Sequence, residues 1–281
     1  MTSSRFITTP EGLRLHVREG GVSDGPPILF IHGWSQGSRA WDMQMNSPVL
    51  ARRFRLLAVD LRGHGRSDAP RGEEHYISNH AWAADVHALV SSLAPARPLL
   101  VGWSYGGSVV CDYLKEHGEA AIAGICLVAP ALFFSREEPG RWYGMALRRN
   151  APEARGDDRA RANAAMRAFQ AACYAIRPPT GYYLAQMEAA LSVRPDVRGA
   201  MTRKRLDYLS LLARLRLPVL LVHGQRDAIV LPETTSELSR IMPHADTFLP
   251  DACGHAPFAE QPDEFNERLA GFAARAFSRR S

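Results

Sequence analysis

Lysine is nearly missing from this chain: Lys115 and Lys204 are the only two among 34 basic residues, so the net charge of +5 is carried by arginine. A basic surface built to hold nucleic acid comes with a helix-turn-helix, an RNP-like strand or a zinc finger. None of these is present, so nucleic acid is not an expected partner and the arginine bias reads as composition. Cysteine is scarce too. Cys111, Cys126, Cys173 and Cys253 lie far apart without a CxxC pair, which excludes a zinc centre and a disulfide framework and predicts four buried thiols. No apolar run approaches the roughly 18 uncharged residues a bilayer span needs, and the opening MTSSRFITTPEG lacks the apolar stretch of a secretory signal. A cytoplasmic protein with no membrane partner is therefore expected. Low-complexity tracts and internal repeats are also missing, which sets aside disordered and solenoid architectures.

What is present suits an ordinary globular enzyme, with 46% apolar and 22% charged residues. At 281 residues, one α/β domain carrying an insertion and two separate domains are both open. LRLHV (13–17) alternates like a half-exposed antiparallel strand. By contrast, PILFIHG (27–33), RLLAVDLRG (55–63), PLLVGWS (98–104), IAGICLVAP (122–130) and PVLLVHGQRD (218–227) are nearly continuous apolar runs, as in parallel strands buried on both faces. DTFLP (246–250) supplies one more strand. Helix-compatible segments at 39–52, 78–94, 106–118, 232–242 and 261–277 lie between these runs, with Pro or Gly at most junctions. Such alternation predicts a doubly wound, mostly parallel α/β sheet. The stretch 135–206 contains no core strand and reads as helical. Ligands in open α/β sheets bind beyond the carboxyl ends of the strands, so this stretch is expected to cap that site, with 1–134 and 207–281 as the core.

The chemistry starts at Gly102-Trp103-Ser104-Tyr105-Gly106-Gly107. A nucleophile elbow places serine on a strained strand-to-helix turn, with small residues two before and two after it so that strand and helix can approach closely. Chance produces G-x-S-x-G in about one chain in ten of this length. The context makes it informative, because an apolar run precedes it and the amphipathic SVVCDYLKEHG follows.

A serine hydroxyl needs a base, and the base needs an orienting carboxylate. Among ten histidines, His255 follows the last strand in a Gly-His-Ala-Pro loop, and the chain order Ser, Asp, His is the one a serine elbow on such a sheet uses. His32, His223 and His64 remain alternatives; the first two sit at strand ends and are expected to bond neighbouring loops. Asp227 ends the strand PVLLVHGQRD and is the preferred acid, although an Asp there is equally suited to forming a turn. Asp251 is too near His255 in sequence, Asp60 belongs to the turn LRGHGRSD, and Ala129-Pro130-Ala131 offers no carboxylate. The oxyanion of a tetrahedral intermediate needs backbone N–H donors, expected from Tyr105 and, in the loop turned by Gly33, from Trp34. Trp34, Trp103, Tyr105, Phe133 and Phe134 are candidate walls of an apolar substrate pocket, although any of them is equally suited to ordinary core.

Together HGW (32–34), DLRGHGRSD (60–68), GWSYGG (102–107), HGQRD (223–227) and GHAPF (254–258) resemble the α/β-hydrolase superfamily over nearly the whole chain. HGWSQGSRAWD is similar to the non-haem chloroperoxidase and aryl-esterase branch; GWS, MPHAD and HAPF are similar to the pimeloyl-carrier methyl ester esterases. The cap matches neither branch. The resemblance implies the α/β-hydrolase fold and a cofactor-free, metal-free esterase mechanism, with nucleophile, acid, base and oxyanion positions falling on the residues named above. Serine at 104, rather than aspartate, argues against haloalkane dehalogenase and epoxide hydrolase chemistry. The leading expectation is a carboxylic ester hydrolase. Hydrolysis of a carbon–carbon bond, a lactone or an amide by the same triad is a second, and a ligand-binding receptor with little turnover a third.

Charge adds one expectation about the substrate. Residues 135–206 hold fourteen Arg or Lys against seven Asp or Glu, a net +7 that leaves the rest of the chain slightly acidic. Positive charge beside a site concentrates anionic ligands, which points to an anionic or carrier-linked ester or acyl substrate, although a solvated arginine-rich helical surface has the same composition.

Overall fold

The computed structural model describes residues 3–132, 139–204 and 206–278. The apolar runs become strands β1 (Ser3–Thr8), β2 (Arg14–Gly21), β3 (Pro27–Ile31), β4 (Arg55–Val59), β5 (Leu99–Trp103), β6 (Gly124–Val128), β7 (Val219–Val222) and β8 (Asp246–Phe248). They form one sheet in the order β1-β2-β4-β3-β5-β6-β7-β8. Strand β2 runs antiparallel to β1 and β4, and every other pairing is parallel. Strand β1 has no counterpart in the sequence reading. It is an edge strand in which Phe6 is 41% exposed and Ile7 only partly buried, so it leaves no buried run to recognise.

Residues along β3 to β7 alternate between two cores, as successive side chains of a strand must. Leu29, Ile31, Leu100, Leu127 and Leu221 face one way; Ile28, Phe30, Val101, Trp103, Val128 and Val222 face the other. Helices cover both faces: Asn79–Ser91 and Tyr105–His117 pack together on the first, and Pro262–Ser278 lies over the second. The segment expected as one helix over 39–52 is broken into Ser38–Trp41, Asp42–Met45 and Pro48–Ala51. Pro48 follows Ser47 there, and a proline can open a helix but not continue one.

Between β6 and β7 the described residues contain no strand. The helices Met145–Ala154, Arg159–Ala172, Thr180–Ser192 and Pro195–Arg203 fill this stretch. Asp158 starts the second by accepting hydrogen bonds from the N–H groups of Ala160 and Arg161. Arg198 joins three of them. Its guanidinium is buried and donates to the carbonyls of Ala154 (3.0 Å) and Ala190 (2.7 Å), where helix carbonyls carry partial negative charge; burial lowers its pKa to about 10. Lys204, also buried, pairs with Asp112 on the helix that follows Ser104. Among the described residues no helix is long and apolar enough to cross a membrane.

Candidate active site

The sheet reverses its winding between β3 and β5, because β4 lies to one side of β3 and β5 to the other. At such a switch point the loops leaving the two strands diverge and open a crevice. Loop His32-Gly33-Trp34 leaves β3, and Ser104 leaves β5. Ser104 adopts φ +55° and ψ −116°, a conformation that is strained for any residue with a side chain. The glycines around it are required by contact: a Cβ on Gly102 would lie 2.6 Å from the Gly106 carbonyl oxygen, and one on Gly106 would lie 2.4 Å from that of Ile31.

Gly33 acts through close approach, not through its backbone angles, since a Cβ there would be 3.2 Å from the Ser104 Cβ. The left-handed residue of that loop is Ser35, at φ +55°. The N–H groups of Trp34 and Tyr105 stand on the two sides of the crevice, and neither donates to a partner among the described residues. For Tyr105 this is the ordinary state of a first helical residue.

Asp227 and His255 meet across the strand ends. His255 Nδ1 donates to Asp227 Oδ2 at 2.7 Å, with both side chains buried. Asp227 Oδ1 accepts from the N–H groups of Ile229 (2.8 Å) and Val230 (3.1 Å). Burial alone would raise its pKa; the charge of His255 and hydrogen bonds from His223 and His255 outweigh it and hold the carboxyl down to about 2. The other ring nitrogen, His255 Nε2, is buried and has no hydrogen-bond partner among the described residues.

The remaining sequence candidates take other places. His223 does bond its neighbours, and one of them is the same acid: its Nε2 donates to Asp227 Oδ2 (3.0 Å) and to the Val230 carbonyl (2.9 Å), while Nδ1 accepts from the Thr235 hydroxyl (2.7 Å). Asp227 Oδ2 thus receives two imidazole N–H groups, a contact the spacing His-x3-Asp does not reveal. His32 donates to the Gly33 carbonyl (2.8 Å) and accepts from the Leu61 N–H (3.0 Å), and burial lowers its pKa. His64 is buried, which lowers its pKa to about 3. Asp60 accepts from the N–H groups of Ser38 (2.6 Å) and Arg66 (3.1 Å) and from His16 (2.9 Å), holding loops together.

A cavity of about 30 Å³ touches Ser104, Trp34 and Tyr105 and is closed by Leu147, Phe169 and Met201 from the helical stretch. Trp103 does not line it. One residue before Ser104 on the strand, its ring turns to the opposite core, 4.9 Å from Phe258, and its Nε1 donates to the His255 carbonyl at 2.8 Å. Phe133 and Phe134 lie outside the described residues. Ala131, Ile229 and Val230 complete the walls from loops, and the helices contribute inward faces that no local motif announces; Phe169, for example, meets the Trp34 ring edge-on at 5.1 Å.

Comparison with known proteins bears on this geometry. The profile of the alpha/beta hydrolase family matches residues 28–268. The structure superposes on a putative aryl esterase from Burkholderia cenocepacia with a TM-score of 0.92 at 30% identity, covering 99% of this chain and 100% of that one. With esterase RhEst1 from Rhodococcus sp. ECU1013 the values are 0.87 and 36%, over 97% and 98%. A pimeloyl-[acyl-carrier protein] methyl ester esterase from Nitrosospira multiformis is 29% identical over 90% of this chain and 96% of its own length. These likenesses agree with the eight-stranded sheet and with an esterase-type enzyme acting on small-molecule esters. The chain belongs to the alpha/beta hydrolase family.

Proposed function

We propose that the chain hydrolyses carboxylic esters through an acyl-enzyme on Ser104. The observation that carries this reading is the asymmetry of His255: one ring nitrogen is tied to a buried, ionised Asp227 and the other has no partner among the described residues. In that arrangement Nε2 takes the Ser104 proton as Oγ attacks the ester carbonyl. The N–H groups of Trp34 and Tyr105 receive the oxyanion, and His255 returns the proton to the departing alcohol. Water then repeats the sequence and frees the acid. Asp227 stays ionised throughout, fixing the tautomer and stabilising the imidazolium.

The test is Ser104→Ala, which should lower turnover of a short p-nitrophenyl ester by several orders of magnitude and abolish labelling by a fluorophosphonate probe. Wild-type turnover in that variant would refute the assignment.

The stretch 135–206 acts as a cap in this reading, and its cations favour an anionic or carrier-linked acyl group. The carrier-linked substrate in the names of several relatives supports it, as does the net charge of +7. Arg198 and Lys204 are buried and bonded within the protein, so the attraction falls to exposed side chains such as Arg148, Arg149 and Arg167. Salt screens exposed charges beyond about 8 Å at physiological strength. A preference in kcat/KM for an acidic over a neutral ester should therefore shrink as salt is added; a preference indifferent to salt would remove the exposed arginines from the explanation.

A further inference from the structure

Glu260 is a buried carboxylate that the proposed chemistry does not use. It is 8% exposed, and no cationic side chain pairs with it among the described residues. Its partners are backbone N–H groups. Oε2 accepts from Ala175 (2.8 Å), Ile176 (2.8 Å) and Gly254 (3.0 Å); Oε1 accepts from Gly254 (3.0 Å) and Ala256 (3.2 Å). Ionised carboxylates make strong bonds of this kind, and a buried one is tolerable only where such donors surround it.

The choice of amides matters. Gly254 and Ala256 flank His255, whose own N–H donates to the Cys173 carbonyl at 2.9 Å. All three successive N–H groups of the base loop are therefore held either by Glu260 or by the turn at 173–176. The same carboxylate holds the N–H groups of Ala175 and Ile176 in that turn. The fit is close, since a Cβ on Gly254 would come within 2.7 Å of the Ala175 nitrogen. The turn in turn continues from the helix Arg159–Ala172, whose Phe169 walls the cavity beside Ser104.

We propose that Glu260 is a positioning residue that sets His255 against Asp227 and ties it to the helical wall over Ser104, so that the base and that wall keep one geometry. The proposal rests on His255 being the base. An acceptor-only group is required: a glutamine of the same shape would turn its NH2 toward N–H groups that are themselves donors.

The experiment compares Glu260→Gln and Glu260→Asp with a control, Glu119→Gln. Glu119 also accepts two backbone N–H groups, those of Arg216 (3.0 Å) and Leu217 (2.6 Å), but it precedes β6 and lies at the other end of the sheet from Ser104. Active sites are counted with a fluorophosphonate, so kcat is expressed per competent site. Misplacing a catalytic group by about 1 Å costs roughly 100-fold. Glu260→Gln should accordingly lower kcat about 10- to 100-fold with KM within about threefold. Glu260→Asp keeps the charge and should recover part of the loss. Glu119→Gln should leave kcat per site at the wild-type level even where its Tm falls. Amide exchange in Glu260→Gln should rise at 173–176 and 254–256 together.

If kcat per site in Glu260→Gln equals wild type while only Tm falls, Glu260 is a structural brace and the proposal is wrong. Should the glutamine variant not fold, Glu260→Asp decides alone, and wild-type kcat there overturns the idea. His255→Ala, run in parallel, separates the two readings, because full turnover in it would overturn the base assignment itself, whatever Glu260 does.

Discussion

Replacing Asp227 by asparagine changes one atom, and the surroundings dictate how the new amide must sit. Oδ1 accepts from the N–H groups of Ile229 and Val230, so the amide oxygen has to stay on that side. The NH2 group then faces His255 Nδ1 and His223 Nε2, which are themselves donors in the native protein. His255 can answer only by moving its proton to Nε2, the atom that in the proposed mechanism has to accept the Ser104 proton. A base in that tautomer cannot take the Ser104 proton. The corresponding exchange in a serine-protease triad lowers kcat about 10⁴-fold, about 5.5 kcal/mol of transition-state stabilisation. The assay is kcat and KM on a short-chain p-nitrophenyl ester, with far-UV circular dichroism to verify the fold. A loss confined to kcat, with KM nearly unchanged, is expected. A folded Asp227→Asn enzyme within about tenfold of wild type would refute the tautomer reasoning and move the acid elsewhere.

The same carboxylate makes a prediction about stability. Its folded pKa of about 2 lies below the ordinary value of about 3.9, so its contribution is complete above about pH 4 and is lost as pH falls through about 2, a matter of roughly 2–3 kcal/mol. Acid unfolding followed by circular dichroism should lose that component in Asp227→Asn; an identical acid transition in both proteins would contradict it. Ser104→Gly should be more stable than Ser104→Ala by about 1 kcal/mol in urea unfolding, since glycine alone relieves the strain at φ +55°; equal midpoints would mean the turn is not strained. Lys204→Met should destabilise by about 3–5 kcal/mol by leaving Asp112 buried without its cation, and Lys204→Met with Asp112→Leu should recover much of that. If the double variant is no better than the single, the pair is not the source of the loss.

The central strands were legible because a strand buried on both faces must be apolar nearly throughout, and the runs in β3 to β7 are, with Arg55 at the start of β4 the one charged exception. An edge strand carries no such demand, which is why β1 left no trace. Ser104 was legible for a related reason: the close approach of strand and helix admits only glycine at 102 and 106, so the backbone geometry is written into local spacing. Trp103 shows where adjacency misleads. It is next to the nucleophile in the chain, yet the two-residue period of a strand sends its ring to the other core. Phe169, Glu260 and the second imidazole on Asp227 were not legible at all, because each acts through partners set by tertiary packing and not by spacing. The charge of 135–206 was readable as a sum but not as a location. Arg198 spends its cation on helix carbonyls and Lys204 on Asp112, so two of the fourteen basic residues counted there stabilise the structure and are unavailable to a ligand. Any effect of that charge on substrates must therefore come from exposed arginines, which salt screens, and its salt dependence distinguishes it from a buried anion site.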